Sequence, residues 1–447
     1  MLNPAIFKAY DVRGIYGTDL DEEGGYAIGR AYVEQFEPRK IAVGRDMRLA
    51  SPSVAAAVIE GAADAGADVI DLGLVGTEMV YFAVGNLALE GGIMVTASHN
   101  PKEYIGMKIV RRGALPVGGE SGLLDVRDRA VKGEWRDATR GTITEENVWD
   151  AYVDCVLGFI DPAAIKPLKI VVDAANGMAG VMLPRVLDRL PQVEVVRCYF
   201  EPDGSFPNHE PNPLLPENRD FIIEKTRSEK ADFGVAYDGD ADRCFFVDET
   251  GEFIPGDFTT ALFAETMLAR EPGGTVIYDV RASWAVPKAI EAAGGVALAN
   301  RVGHAFIKQR MRDVDAVFAG EVSAHYYFRD FTKADTGVVP FLVMLEIVSK
   351  RGQKVSEILA PLRSTYFLTG EINTPVADVP LKLQEIKDRY ASQGKVSHLD
   401  GLSIDADDWH MNIRPSNTEP LLRLNLEALS QELMESKRDE VLELIRS

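Results

Sequence analysis

The chain reads as an α/β protein: three tandem mixed α/β domains of similar topology, then a smaller C-terminal α+β domain. Three observations predict this. A pattern of strand, turn, amphipathic helix and second strand occurs three times, as βαβ architecture requires. Each copy is followed, after a spacer of varying length, by another short apolar strand that ends in a polar loop. After Thr365 the pattern changes.

The first copy places a strand at 40–44, a helix at 52–64 and a strand at 68–72. The second runs 168–173, 178–189 and 194–198, and the third 274–279, 284–293 and 295–298. Their trailing strands fall at 92–95, 233–237 and 316–319, followed by polar loops at 96–101, 238–243 and 320–325. Open α/β sheets bind ligands outside the carboxyl ends of their strands, so three domains could each supply one loop to a shared cleft. The tail alternates strand-like segments at 366–371, 401–405, 409–414 and 421–428 with helices at 381–393 and 431–445. Domain limits are expected at 1–145, 146–252, 253–365 and 366–447.

Composition narrows the partners. With 48 basic and 69 acidic residues, 48 − 69 gives a net charge of −21, which argues against a general nucleic-acid-binding surface. It also repels anionic substrates, so a phosphorylated ligand must be held by locally collected Arg, Lys and His. Cys155, Cys198 and Cys244 have no metal-ligand spacing, and their odd number argues against a full disulfide framework. A reducing cytoplasm fits best. No apolar run approaches a membrane span, no secretory leader pattern opens the chain, and no protein partner is predicted.

The most specific segment is Asp238, Gly239, Asp240, Ala241, Asp242, Arg243, between the apolar runs 233–237 and 244–247. Carboxylates at alternate positions of an extended segment lie roughly 7 Å apart and repel by about 2 kcal/mol per neighbouring pair at an effective dielectric of 20. A divalent cation removes that cost, and hard oxygen ligands favour Mg²⁺ or Ca²⁺. An EF-hand loop also alternates acids, but Arg243 stands where that loop needs glycine, and the flanks are strands. A solvated acidic turn is the remaining alternative.

Other loops carry complementary chemistry. In the segment 96–101 (TASHNP), Ser98 could be a nucleophile or phosphate carrier, and Pro101 keeps the loop from becoming helix. Ser98 and His99 are adjacent, a poor arrangement for a nucleophile–base pair, and no G-x-S-x-G elbow is present, which argues against a serine hydrolase. The segment 414–420 (RPSNTEP) offers a guanidinium, two hydroxyls, an amide and loop N–H groups to phosphate oxygens, or is a plain hairpin turn. The segment 320–325 (GEVSAH) supplies an acceptor, a hydroxyl and an imidazole, suited to sugar hydroxyls and proton transfer. No P-loop or G-x-G-x-x-G fingerprint supports nucleotide-dependent chemistry.

Taken in order, the opening FKAYDVRG (7–14), TASHNP, DGDADR (238–243), GEVSAH and RPSNTEP closely resemble the α-D-phosphohexomutase family over nearly the whole chain. The opening and the sugar loop resemble its phosphomannomutase/phosphoglucomutase branch. The resemblance implies four domains around a central cleft, which carry in turn a phosphoserine loop, a metal loop, a sugar loop and a phosphate loop. It implies that Ser98 carries a phosphoryl group, with Mg²⁺ held by that phosphate and Asp238, Asp240 and Asp242. Hexose 1-phosphates and 6-phosphates would interconvert through a hexose 1,6-bisphosphate. Arg13, Lys108, Arg243 and His325 would surround the reacting phosphate, with Lys108 and His325 as candidates for proton transfer. Without the motif, Lys108 reads equally well as a surface lysine near a strand start. The other phosphate would meet Arg414, Ser416, Asn417 and Thr418, with Tyr10, Arg281 and His304 nearby. Glu321 and Ser323 would bind hydroxyls common to glucose and mannose, so both hexose phosphates are expected substrates. A phosphoglucosamine mutase, a metal-dependent phosphatase and a catalytically silent sugar-phosphate-binding regulator remain as alternatives.

Overall fold

The computed structural model describes residues 2–415 and 421–447. By internal contacts the chain forms two units: residues up to Ile254 with 311–313 and Ser323–Val355, and Pro255–Arg310 with Val314–Val322 and the chain from Ser356 onward.

The three βαβ copies share one strand order. In the first, Lys40–Arg45 pairs in parallel with Asp68–Leu74 on one side and with the trailing strand Gly91–Val95 on the other. The second repeats this with Leu168–Asp173 between Val193–Cys198 and Phe233–Tyr237. In the other unit Thr275–Asp279 lies between Val296–Asn300 and Phe318–Gly320. The middle and trailing strands of the first two copies are buried almost throughout, as central parallel strands covered on both faces must be. In the first two sheets the trailing strand then meets an antiparallel neighbour, Tyr104–Arg111 and Cys244–Asp248 respectively. The loops at this reversal are the Ser98 loop and the acidic loop.

The C-terminal region is an antiparallel sheet in the order Phe367–Pro375, Leu421–Ala428, Trp409–Pro415, Leu402–Asp405, Lys395–Ser397. Alternate residues Leu402 and Ile404, Trp409, Met411 and Ile413, and Leu422, Leu424 and Leu426 form one apolar core with residues of the helices Val379–Tyr390 and Gln431–Arg446. From the intervening positions, His410 stacks on Trp284 at 4.8 Å, and Glu427 accepts from the Trp284 backbone N–H.

Several elements differ from the sequence reading. The trailing strand expected at 316–319 is Phe318–Gly320, and that expected at 366–371 extends to Pro375 through a register shift between Leu368 and Glu371. The tail helix ends at Tyr390, with a 3₁₀ turn over Ala391–Gln393. The helix Glu22–Phe36 has no counterpart in the reading because Gly24, Gly25 and Gly29 argue against it. Packing is the reason for these small residues: a Cβ at Gly29 would lie 2.3 Å from Val58 O, and one at Gly61 2.1 Å from Tyr26 O, so the two helices cross backbone to backbone. The helices Gly256–Arg270 and Val338–Arg351 are buried nearly all round and lack the apolar stripe that marks a surface helix.

One buried acid ties three segments of the first unit together. Glu78, in the first turn of helix Thr77–Asn86, accepts from Tyr152 Oη, from Thr336 Oγ1 at 2.8 Å, and from the N–H groups of Gly337 at 2.6 Å and Val338 at 3.4 Å. Burial outweighs these donors and pushes its carboxyl from 4.5 up to about 8. A carboxyl whose folded value is raised stabilises the fold below its unfolded value, and that contribution is lost as pH rises toward the folded one. Chemical denaturation at pH 5 and pH 8 should therefore show the difference between wild type and Glu78→Gln moving against wild type at the higher pH. A pH-independent difference would contradict this assignment.

Candidate functional site

The Ser98 loop is built on a buried arginine. Arg48, 1 % exposed, donates to the carbonyls of Ser98 at 2.8 Å, Asn100 at 2.6 Å, Pro101 at 2.8 Å and Tyr104 at 3.1 Å. Asp46 provides its counter-charge at 3.4 Å, and the guanidinium lies 5.2 Å from the Phe206 ring centroid. Ser98 has φ +52, in the left-handed region that costs a non-glycine residue about 1 kcal/mol, so the loop must be held from outside. Ala241 in the acidic loop and Ala324 in the third loop have φ +62 and +61. Each of the three loops thus turns on one left-handed residue that is not glycine.

The acidic loop packs directly on this structure. A Cβ at Gly239 would fall 2.4 Å from Ser98 O, so glycine is required for the approach. Asp238, Asp240 and Asp242 are wholly buried, which rules out the solvated acidic turn, and they present oxygens within 4.8 Å of one another. At that spacing each pair of charges repels by about 3 kcal/mol at an effective dielectric of 20.

Positive charge answers the repulsion. Lys108 Nζ donates to Asp240 Oδ2 at 2.7 Å and to Asp242 Oδ2, while Arg243 Nε donates to Asp238 Oδ2 at 2.7 Å. Lys108 is 6 % exposed in the middle of strand Tyr104–Arg111, so the surface-lysine reading is wrong. Burial opposes its charge, but Asp240 and Asp242 outweigh burial and hold the ammonium well above the usual lysine value. Burial likewise pushes all three carboxyls up; it prevails at Asp238, lifted to about 6, while Lys108 keeps Asp240 and Asp242 below the carboxylate norm.

The three carboxylates fit a cation. Asp240 Oδ1 and Asp242 Oδ1 are buried without a hydrogen-bond donor, although His325 Nε2 stands 3.7 Å from the latter. Hard carboxylate oxygens with unused acceptor capacity are the donor set of a divalent oxygen-loving metal. Beside them lies the hydroxyl: Ser98 Oγ donates to Asp238 Oδ2 at 3.1 Å.

The surrounding groups are cationic or imidazole. Arg13 donates from Nε to Asp11 at 2.7 Å and from Nη1 to Asn100 Oδ1, which places it at the Ser98 loop. His325 Nδ1 lies 3.1 Å from Ser323 Oγ, and the backbone of His325 bridges to that of Arg243. Arg243 Nη2 is buried without an acceptor, a donor suited to an oxyanion. His99 Nδ1 lies 3.4 Å from Ser98 Oγ. Burial, then the nearby Arg243, Arg13 and Lys108, hold it far below the usual histidine value.

The second unit holds its own cluster. Arg281 forks onto Asp279 with Nε at 2.9 Å and Nη2 at 2.8 Å, and Asp279 also accepts from Val322 N at 2.9 Å. Glu371 gathers Arg281 at 3.5 Å, Arg414 at 3.2 Å and Arg423 at 3.1 Å. Burial would raise Glu371, but the three guanidiniums hold it below the carboxylate norm. Arg414 is pushed down by burial and by Arg281, and its Nε is buried without an acceptor. Glu321 accepts from Gly303 N at 3.0 Å, and His304 opens helix His304–Val314. Tyr10 is half-buried in the first unit. Ser416, Asn417 and Thr418 lie outside the described residues.

Sequence reasoning did not find Arg48, Thr77, Asp279, Glu371 or Arg423. Each is an isolated charged or polar residue without a local motif.

Four consecutive family models match the chain: phosphoglucomutase/phosphomannomutase alpha/beta/alpha domains I at 4–126, II at 150–251 and III at 255–366, and the C-terminal domain at 371–444. A curated phosphomannomutase of Salmonella montevideo is 43% identical, with 100% of each chain covered. A Xanthomonas campestris relative named phosphohexose mutases is also 43% identical, over 98% of this chain and 99% of its own. Among solved structures, a Burkholderia thailandensis phosphoglucomutase/phosphomannomutase family protein superposes with TM-score 0.90 at 33% identity, covering 100% of this chain and 98% of its own.

The clamp on the Ser98 loop is testable. Arg48→Lys keeps the charge but loses the multi-point grip, and should lower the unfolding free energy by about 2 kcal/mol in urea titrations. An unchanged midpoint and slope would mean that other groups hold the loop.

Proposed function

We infer the activity from one premise: the chain belongs to the phosphoglucomutase/phosphomannomutase family, the α-D-phosphohexomutases. It is an intramolecular phosphotransferase that acts on mannose phosphates and also on glucose phosphates, interconverting the 1- and 6-phosphates. The observation that carries this reading is Ser98 Oγ, 3.1 Å from Asp238 Oδ2 in a wholly buried aspartate trio that pairs with Lys108 and Arg243, while Arg13 reaches the Ser98 loop through Asn100.

Phosphoryl transfer needs charge neutralisation and in-line placement more than covalent machinery. Asp238, Asp240 and Asp242, together with a phosphate oxygen on Ser98, would hold Mg²⁺. When bound, the ion neutralises charge on the transferring phosphoryl group. In the forward half-reaction a sugar hydroxyl oxygen bonds to phosphorus, the bond from phosphorus to Ser98 Oγ breaks, and the hydroxyl proton passes to a base. The product is a hexose 1,6-bisphosphate. In the second half the other phosphoryl group returns to Ser98. Lys108 and His325 are the candidates for proton transfer, the one through its ammonium and the other through its imidazole. Arg243 Nη2 and Arg13 would bind oxygens of the reacting phosphate.

Arg281, Arg414 and the segment 416–418 would bind the phosphate that does not react, with Tyr10 and His304 as further contacts. Glu321 and Ser323 would grip sugar hydroxyls. Val322 and Ala324 in the same loop carry no hydrogen-bond donor on their side chains, which favours weak discrimination between C2 epimers and so use of both glucose and mannose phosphates. The three cysteines are free, which supports a reducing cytoplasm, and no helix among the described residues is long and apolar enough to cross a membrane.

With Mg²⁺ and catalytic hexose 1,6-bisphosphate, the protein should convert mannose 1-phosphate and glucose 1-phosphate to their 6-phosphates. Turnover of glucosamine 1-phosphate alone would overturn the substrate assignment, and no turnover despite sugar-phosphate binding would point to a regulator. Ser98→Ala should abolish turnover even with bisphosphate supplied; near-wild-type rates would contradict the phosphoserine route. Asp240→Asn should reduce metal-dependent turnover, and an unaltered metal requirement would remove Asp240 from the ligand set.

A further inference from the structure

The helix Thr77–Asn86 begins against the acidic loop. Thr77 is wholly buried, and its Oγ1 donates to Asp240 Oδ2 while its N–H donates to the Asp240 carbonyl at 3.3 Å. The helix is preceded by Gly76, which has no capping side chain, so Thr77 is free to turn its hydroxyl outward to a carboxylate. Lys108 takes the same oxygen, Oδ2, at 2.7 Å. All the donors thus fall on one oxygen of Asp240, and Oδ1 is left buried without one.

This asymmetry specifies which oxygen is available to a cation. Lys108 alone does not do so, because its ammonium is shared with Asp242. Thr77 is held in place. The next residue, Glu78, anchors the same helical turn to Tyr152, Thr336 and Gly337, and a Cβ at Gly337 would lie 2.4 Å from Ala241 O. The turn that carries Thr77 is therefore fixed to both the acidic loop and its neighbour.

We propose that Thr77 is a positioning residue for the metal site: its hydroxyl locks the Asp240 carboxylate so that Oδ1 faces the divalent cation. The proposal rests on the reading of the aspartate trio as that site. Groups that orient a ligand carboxylate typically change metal affinity by ten- to a hundredfold when removed.

The test is a titration of the purified full-length, metal-stripped protein with Mn²⁺ alone, reading free Mn²⁺ by electron paramagnetic resonance, with thermal unfolding measured in parallel. Thr77→Val keeps the shape and removes the donor; it should weaken Mn²⁺ binding about tenfold with little change in the apo melting temperature. Thr77→Ser, which restores the hydroxyl, should bind like wild type. Wild-type affinity in Thr77→Val would overturn the proposal, as would a loss in Thr77→Ser equal to that in Thr77→Val. If Thr77→Val does not fold, Thr77→Ala is read in its place. No Mn²⁺ binding by wild type, or binding unaffected by Asp240→Asn, would instead strike the metal-site reading on which the proposal rests.

Discussion

Three carboxylates within 4.8 Å of one another and out of water persist only if positive charge is buried with them. Much of the first unit answers that demand. Lys108 arrives on the strand antiparallel to Gly91–Val95, and Arg243 closes the acidic loop on itself. The two cations paired directly with the three carboxylates still leave two acceptor oxygens without donors. Such a donor set suits a divalent, oxygen-loving ion.

The same demand explains why the Ser98 loop is so heavily constrained. A left-handed serine is costly, and it is retained because Arg48 gathers four carbonyls around it while Gly239 lets the acidic loop close against its backbone. Strain in one residue is balanced by a buried guanidinium far from it in sequence. The second unit solves a mirror-image problem: Arg281, Arg414 and Arg423 would repel one another, and Glu371 holds them together.

The legible parts of the sequence were those where chemistry is local. Alternate aspartates between apolar strands disclose the acidic loop; the repeated strand–helix–strand pattern discloses the shared order of strands around Lys40–Arg45, Leu168–Asp173 and Thr275–Asp279. What stayed hidden depends on pairing at long range. Lys108 meets Asp240 across 132 residues, and Thr77 meets it across 163, with nothing in the flanking sequence to announce either contact. Helix Glu22–Phe36 was concealed by glycines that serve a close crossing, and helix Val338–Arg351 by burial that leaves no polar face. The roles drawn from the family resemblance for Ser98 and its neighbours came from motif order; distances then placed Ser98, the aspartates, Lys108, Arg243 and His325 together in one unit.

In the proposed reaction Ser98 Oγ carries the phosphoryl group between the two ends of the sugar. The direct measurement is to charge the protein with hexose 1,6-bisphosphate labelled with ³²P, locate the label by peptide mass spectrometry, and chase with unlabelled mannose 1-phosphate. The account predicts label on the peptide containing Ser98 and its transfer to sugar phosphate during the chase. Label that resides on another residue, or that leaves Ser98 only as inorganic phosphate, would contradict it.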